Sequence, residues 1–390
     1  MVNKRERADL YLSFVVLFQV IVVSIQLLLP LLGIMSAEKA ASFRVAVTVL
    51  TYLPAALIVF MRRPGALVLT FLVYAVILVV NYAFSPDSYV YLKSSAVYSL
   101  TPIVLLTALS VSSIRNLDCF NKALLLISRA AVFVALAFVL AYNFSPFKED
   151  GSAYSMSFGY SMLLPSMFLF SRPKIIDKVL SLILFVLILL VGSRGPLLVL
   201  GLFYVFSTLF FSSAKQKKSL FLLLIIVILG VLILPQVIDL GSSRTLKMFQ
   251  SEAFLSHDSG RGELQEIVIN QIEAHPILGC GIGADRKYLD GLYPHNVFLE
   301  LFLHYGVIIG LLVSIFFFAW CIRLFLSRRL RADKELRLMF IMLFLYGFVP
   351  LLVSGSYLTD FKAGIMVGWF IALQKGVIRK EKLTVYENRA

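Results

Sequence analysis

Apolar runs without a single charged residue recur along the chain: Leu10–Ala37, Val45–Met61, Pro64–Pro86, Ser94–Ile114, Ala130–Phe147, Gly151–Ser171, Val179–Ser193, Gly195–Ala214, Ser219–Ile238, Leu301–Ile322, Leu338–Thr359 and Ala363–Gln374. Most have the roughly 17 to 25 residues that a helix rising about 1.5 Å per residue needs to cross about 30 Å of hydrocarbon. The pattern predicts an all-α, polytopic membrane protein of twelve transmembrane helices in one membrane domain spanning residues 1–390. Gly192-Ser193-Arg194-Gly195-Pro196 separates the seventh run from the eighth, because two glycines closely followed by a proline end or turn a helix. The seventh and last runs are short and must borrow flanking residues such as Ile175–Lys178 and Lys375–Ile378.

Polar positions gather in one long interruption, Asp239–Asn296. Within it, Glu263–Ala274 places Leu264, Ile267, Val268 and Ile272 at helical spacing opposite Glu263, Glu266, Asn270 and Glu273, which predicts an amphipathic helix. Asp258 or Ser259 would cap its start, and His275-Pro276 ends it.

Composition sharpens this reading. Of 390 residues, 60% are hydrophobic and 15% charged, against about half and about a quarter in soluble domains, which excludes a water-soluble enzyme. The net charge of +14 suits nucleic acid in a soluble protein, but in a membrane protein a basic excess sets orientation. With the N-terminus inside, cytoplasmic segments hold 24 Lys and Arg and the outer segments 11, while Arg129 lies within the fifth span and is expected to snorkel inward. Both termini are therefore expected in the cytoplasm and the large loop, residues 239–296, in the periplasm. The first run exceeds the h-region of a cleaved signal peptide and is read as a retained helix.

Candidate chemistry is sparse. No nucleotide-binding loop, zinc-binding His-Glu-x-x-His, Asp-x-Asp pair or nucleophile elbow occurs, so ATP- or metal-driven chemistry is not expected. Cys119, Cys280 and Cys321 form no metal or redox pattern. Gly279-Cys280-Gly281-Ile282-Gly283 resembles a phosphate cradle but lacks a preceding strand, and is read as shaping a turn. His257, His275, His295 and His304 all lie in or just beyond the loop. His295, in Tyr293-Pro294-His295-Asn296 at the mouth of the tenth span, either takes a proton from a hydroxyl near neutral pH or hydrogen-bonds the start of its helix. Asn296 suits a helix cap, and Glu300 either complements the helix dipole or orients His295. Arg194, between two apolar spans, either binds an anionic group or snorkels to the interface. Arg261 begins the amphipathic helix, where the dipole disfavours a cation, so an anion nearby is expected: Glu263, Glu266 or a substrate phosphate. Arg286 and Lys287 add positive charge between the glycine-rich turn and His295. Arg194, Arg261 and His295 are the candidate catalytic residues, with Asn296, Arg286, Lys287 and Glu300 as candidate substrate ligands.

Three segments in this order resemble the bacterial O-antigen polymerase and O-antigen ligase superfamily: Ser193-Arg194-Gly195-Pro196-Leu197-Leu198; Ser259-Gly260-Arg261 followed by the helix and His275-Pro276-Ile277-Leu278-Gly279-Cys280-Gly281-Ile282-Gly283; and His295-Asn296 with Gly306 after ten intervening residues. The resemblance covers about residues 185–315. It implies a membrane glycosyltransferase that uses undecaprenyl-diphosphate-linked glycans and needs neither cofactor nor metal, with Arg194 and Arg261 holding the diphosphate and His295 as base. With no covalent nucleophile indicated, displacement inverts the anomeric carbon. The implied partners are the lipid-linked oligosaccharide, a glycan acceptor and membrane lipid, with room for a chain-length regulator and none for nucleic acid. A polymerase on the periplasmic face of the inner membrane is expected first, a ligase acting on lipid A core second. A transporter or flippase is disfavoured by the lack of paired midplane charges and related halves.

Overall fold

The computed structural model describes residues 4–94, 97–144, 156–191, 194–211 and 261–376. The run Ser219–Ile238, the loop up to Gly260 and the cap positions Asp258 and Ser259 fall outside these residues. Among the described residues the chain is helical without strands, as the uninterrupted apolar runs demand. The described parts of the other runs lie largely in helix: α1 (Lys4–Leu31), α2 (Ala37–Arg62), α3 (Pro64–Phe84), α4 (Ser88–Ser94), α5 (Val97–Ser112), α6 (Leu117–Phe144), α7 (Met156–Ser161), α8 (Leu163–Ser171), α9 (Ile175–Leu190) and α10 (Arg194–Phe211). Beyond the loop come α11 (Arg261–Ala274), α12 (Ala284–Tyr288), α13 (Val297–Phe325), α14 (Arg328–Ala332), α15 (Lys334–Val353) and α16 (Phe361–Gln374).

Among the described residues six helices are long and apolar enough to span a bilayer, or seven if α4 and α5, bent by 69°, form one span. The count is lower than the number of runs because several described helices stop early. α16 has 14 residues, which covers only about 21 Å, and the sixth run is divided between α7 and α8 at Met162.

Local chemistry sets the helix ends. Pro64 starts α3, where a missing N–H costs nothing. Asp333 caps α15 through Glu335 N (2.9 Å), and Asp360 caps α16 through Lys362 N (3.0 Å). α1 packs against α2 and α6, burying Leu12, Val16, Leu17 and Val20. α5 and α16 approach closely because Gly364 and Gly368 lie one turn apart on α16. A β-carbon at Gly364 would stand 2.6 Å from the Val104 carbonyl oxygen on α5.

Ion pairs fix the bundle away from the loop. Asp9 of α1 accepts from Arg62 of α2 and from the N–H of Asn116 (3.0 Å), and Arg62 also donates to the Ser113 carbonyl (2.8 Å). Arg129, expected to snorkel, is 42% exposed and pairs with buried Asp177 of α9 at 2.8 Å. At the other end the C-termini of α3 and α15 and the N-termini of α5, α13 and α16 converge beneath residues 275–296. Asn81 Nδ2 donates to Ile282 O (3.1 Å), Thr101 to Leu358 O (2.8 Å) and Tyr293 Oη to Ser354 O (2.7 Å).

α13 is kinked. Gly306 has φ 78° and ψ 164°, outside helical values, because loop residues take the bonds a straight helix would use. Cys280 N donates to Leu303 O (2.7 Å) and Val307 N to Pro276 O (2.8 Å). Ile277 O packs so closely on Gly306 that a side chain there has no room. The 19 residues from Val307 to Phe325 then cover about 28 Å, enough to cross the bilayer without the segment that carries His295's neighbours.

Candidate functional site

α11 begins at Arg261 and ends before His275-Pro276, as its pattern predicts. Its buried face is narrower than the sequence suggested: Val268 and Ile272, with Leu264 packed beside them, meet Ala284, Leu289 and Leu303, whereas Ile267 is exposed. This seats α11 on the first turns of α13. Arg261 points back toward the bundle, its Nη2 lying 3.4 Å from Met156 Sδ at the start of α7. No carboxylate among the described residues lies within ion-pair distance of Arg261, Glu263 and Glu266 included.

The first turn of α10, which begins at Arg194, adjoins the same short helix. A β-carbon on Gly195 would collide with the hydroxyl of Tyr160 in α7. α7 thus brings Arg261 and the backbone of Arg194 to one place; the side chain of Arg194 lies outside the described residues.

His295 stands at the same end, half-buried, just before α13. Asn296 caps that helix, its Oδ1 accepting from Phe298 N at 3.0 Å. His295 itself has φ 54°, in the left-handed region that non-glycine residues seldom adopt. Such strain costs on the order of 1 kcal/mol and is characteristic of functional positions. The Tyr293 ring packs 4.5 Å from the imidazole, centroid to centroid. Burial, and then the nearby positive charge of Arg261, lower the His295 pKa below its ordinary 6.5, against a backbone hydrogen bond at Ser354 that acts the other way. The ring is therefore neutral at pH 7, and its buried Nδ1 has no hydrogen-bond partner. A neutral imidazole held on a strained backbone beside a cation is equipped to accept a proton.

The remaining sequence candidates divide. Lys287 is half-exposed and bridges to Asp87 at 3.0 Å. Arg286 and Glu300, expected as substrate ligands, lie inside the protein, at 2% and 1% exposure, and bind one another at 2.9 Å. Arg286 also contacts Asp285 and donates to Ser356 Oγ at 2.7 Å, and its guanidinium sits 5.4 Å from the Tyr293 ring centroid. Ser356 contacts Glu300 in turn.

His304, one helical turn past Glu300, completes this cluster. Burial alone would raise the Asp285 carboxyl, but His304 and Arg286 hold it below the usual range. His304 Nε2 lies 2.9 Å from the Asp285 carboxylate and 3.3 Å from the backbone N–H of Gly283. Its Nδ1 lies 2.8 Å from the hydroxyl of Tyr357. Asp285, Glu300 and His304 have donor atoms within 4.8 Å of one another, the donor types of a cation site. In this structure the Arg286 guanidinium lies against both carboxylates, and the protein itself supplies the positive charge. Asp285, His304, Ser356 and Tyr357 carried no sequence motif; the available signal was the pair Glu300 and His304, four residues apart on one face of an apolar helix, where buried polar groups need partners.

The bundle with these groups at one end is that of a multi-pass membrane protein with its polar site beside the membrane. Residues 179–314 match the family model described as O-antigen ligase, from α9 through the first part of α13 and including Arg194, Arg261 and His295. The match covers 136 of the 390 residues, the same stretch in which the sequence resembles the O-antigen ligase and polymerase superfamily. No curated protein and no solved structure matches the chain.

Proposed function

We propose that the protein is an O-antigen-type polymerase of the inner membrane, joining undecaprenyl-diphosphate-linked repeat units on the periplasmic face, with both termini in the cytoplasm. The observation that carries this reading is the convergence, around α7 and the mouth of α13, of Arg261 with no carboxylate in reach among the described residues, the backbone of Arg194, and a neutral His295. Arg261 and Arg194 grip the donor diphosphate, for which a guanidinium fork is suited. His295 takes the proton of an acceptor sugar hydroxyl, whose oxygen bonds to the donor anomeric carbon as the carbon–oxygen bond to the diphosphate breaks. The electron pair leaves with the lipid diphosphate, stabilised by the arginines, and His295 returns its proton to water. One displacement inverts the anomeric centre, and the activated phosphate leaving group requires neither ATP nor a metal. Asn296 holds the start of α13, while Arg286 and Glu300 position Tyr293 and through it His295. Lys287 adds field at the rim.

The description of the matching family favours a second reading, a ligase that transfers finished glycan to lipid A core. Gels of surface and lipid-linked polysaccharide from cells lacking the protein separate the two. Single repeat units on lipid A core are expected; full-length ladders stranded on the carrier lipid would establish the ligase. Normal chains with intermediate retained inside would establish a flippase and end the catalytic proposal.

A further inference from the structure

Two apolar clefts lie beside α13, divided by a hydrogen-bonded wall. The smaller, about 290 Å³, runs between α5, α13, α15 and α16 and begins at Val297 and Phe298, immediately past His295-Asn296. The larger, about 540 Å³, runs between α3, the glycine-rich turn and the segment of α13 at His304 and Tyr305. Tyr357 lines the first cleft, His304 and Tyr305 the second, and Tyr357 is hydrogen-bonded to both, at 2.8 and 3.1 Å. Both volumes are near or within the roughly 300–1,000 Å³ of ligand pockets.

The larger cleft is shaped for an amphiphile. Its wall is Val76, Ile77, Val80 and Phe84 of α3, faced by Leu278 and Tyr305. Asn81 is the one buried residue of α3, so the cleft opens along a helix that faces lipid. His275 and Tyr288 line its loop end. A molecule seated here would lay a chain down α3 and keep its polar head among these groups.

The geometry of glycan transfer says which molecule. The donor's reacting carbon is bonded to its diphosphate, so the donor lipid must lie beside His295 and Arg261, where the smaller cleft begins. The acceptor's reacting hydroxyl is at the far end of its oligosaccharide, so its lipid belongs at a distance from the base. We infer that the α3–α13 cleft holds the isoprenoid chain of the second substrate, the lipid-linked acceptor, an inference that rests on the polymerase reading. Two walled clefts let both lipids remain in the membrane while only their sugars meet at His295.

Labelling of the full-length protein in vesicles tests this independently of turnover. The probe is a polyprenyl diphosphate with a diazirine in its first isoprene units. It is expected to label Ile77–Phe84, to be displaced by unlabelled polyprenyl diphosphate but not by phosphatidylglycerol, and to lose this label in Val80→Trp. Equal displacement by phosphatidylglycerol, no label on α3, or undiminished label in Val80→Trp would overturn the assignment. In transfer assays, Val80→Trp should raise KM for a polyprenyl-linked acceptor about tenfold, the scale of steric discrimination in apolar pockets. The same glycan on a short water-soluble alkyl diphosphate should be used as well as by the wild type, and an equal loss on both acceptors would overturn the inference. Specific α3 labelling without any transfer by the wild type would instead refute the polymerase reading and leave a polyprenyl site standing.

Discussion

Tyr293 packs its ring 4.5 Å from that of His295 while its hydroxyl donates to the Ser354 carbonyl at 2.7 Å. The imidazole is thus held against a residue that is itself tied to the end of α15, and the guanidinium of Arg286 braces the same ring 5.4 Å away. The proposed base, on a loop, acquires its orientation from three helices, α13, α15 and the short α12.

Replacement of His295 separates chemistry from folding. His295→Ala should lower transfer by about 10²–10⁴-fold, the usual contribution of a general base, while insertion and donor binding persist. Asn tolerates the left-handed backbone better than most residues, so His295→Asn should fold at least as well and be equally inactive. Transfer by either variant near the wild-type rate would remove His295 from the mechanism.

The two arginines should be sensitive to shape as well as charge. Arg194→Lys and Arg261→Lys preserve the cation but lose the planar fork, so each should transfer at a small fraction of the wild-type rate at saturating acceptor. Full activity in both would mean that a positive field suffices.

The pH profile follows from the lowered His295 pKa. The base must be neutral to act, so kcat/KM should fall as pH drops through the pKa of the free enzyme, with a midpoint below 6.5. More than half the plateau activity should therefore remain at pH 6.5. A midpoint above 6.5 would contradict the burial and the Arg261 field that lower it.

Arg286 should report on stability before chemistry. Arg286→Met leaves Asp285 and Glu300 buried without their cation, a loss of about 3–5 kcal/mol by analogy with broken buried pairs. It should appear as a markedly lower unfolding temperature in detergent. An unchanged unfolding temperature with weakened donor binding would return Arg286 to the substrate.

Topology is checked by labelling. In a background without native cysteines, single cysteines at Ser193, Ser259 and Lys287 should react with an impermeant thiol reagent in intact spheroplasts, whereas one at Gln216 should react only after lysis. Reaction of Gln216 from outside would place the site on the wrong side of the membrane.

Much of this was legible in the sequence because the bilayer imposes local rules. Charge-free runs mark helices, proline and glycine mark breaks, and Asn296 before an apolar run marks a cap. The candidate residues Arg261 and His295 stood out as polar groups next to such runs. What escaped was non-local. The bend at Gly306 depends on Ile277 and Pro276, thirty residues earlier, taking the place of a helical turn. Arg286 looked like a free loop cation because its partner Ser356 is 70 positions away. The pairing of Arg129 with Asp177 of α9 was likewise invisible along the chain.

The dependence of the loop on residues near the end of α15 also orders its biogenesis. Arg194, Arg261 and His295 emerge from the ribosome well before Ser354, Ser356 and Tyr357, yet these later residues hold Tyr293, Arg286 and His304 in place. A nascent chain that has inserted only through α13 therefore carries all three proposed reactive groups and lacks the scaffold that aims them. The proposed site is complete only once the α15–α16 hairpin has entered the membrane, so half-made copies would be inactive.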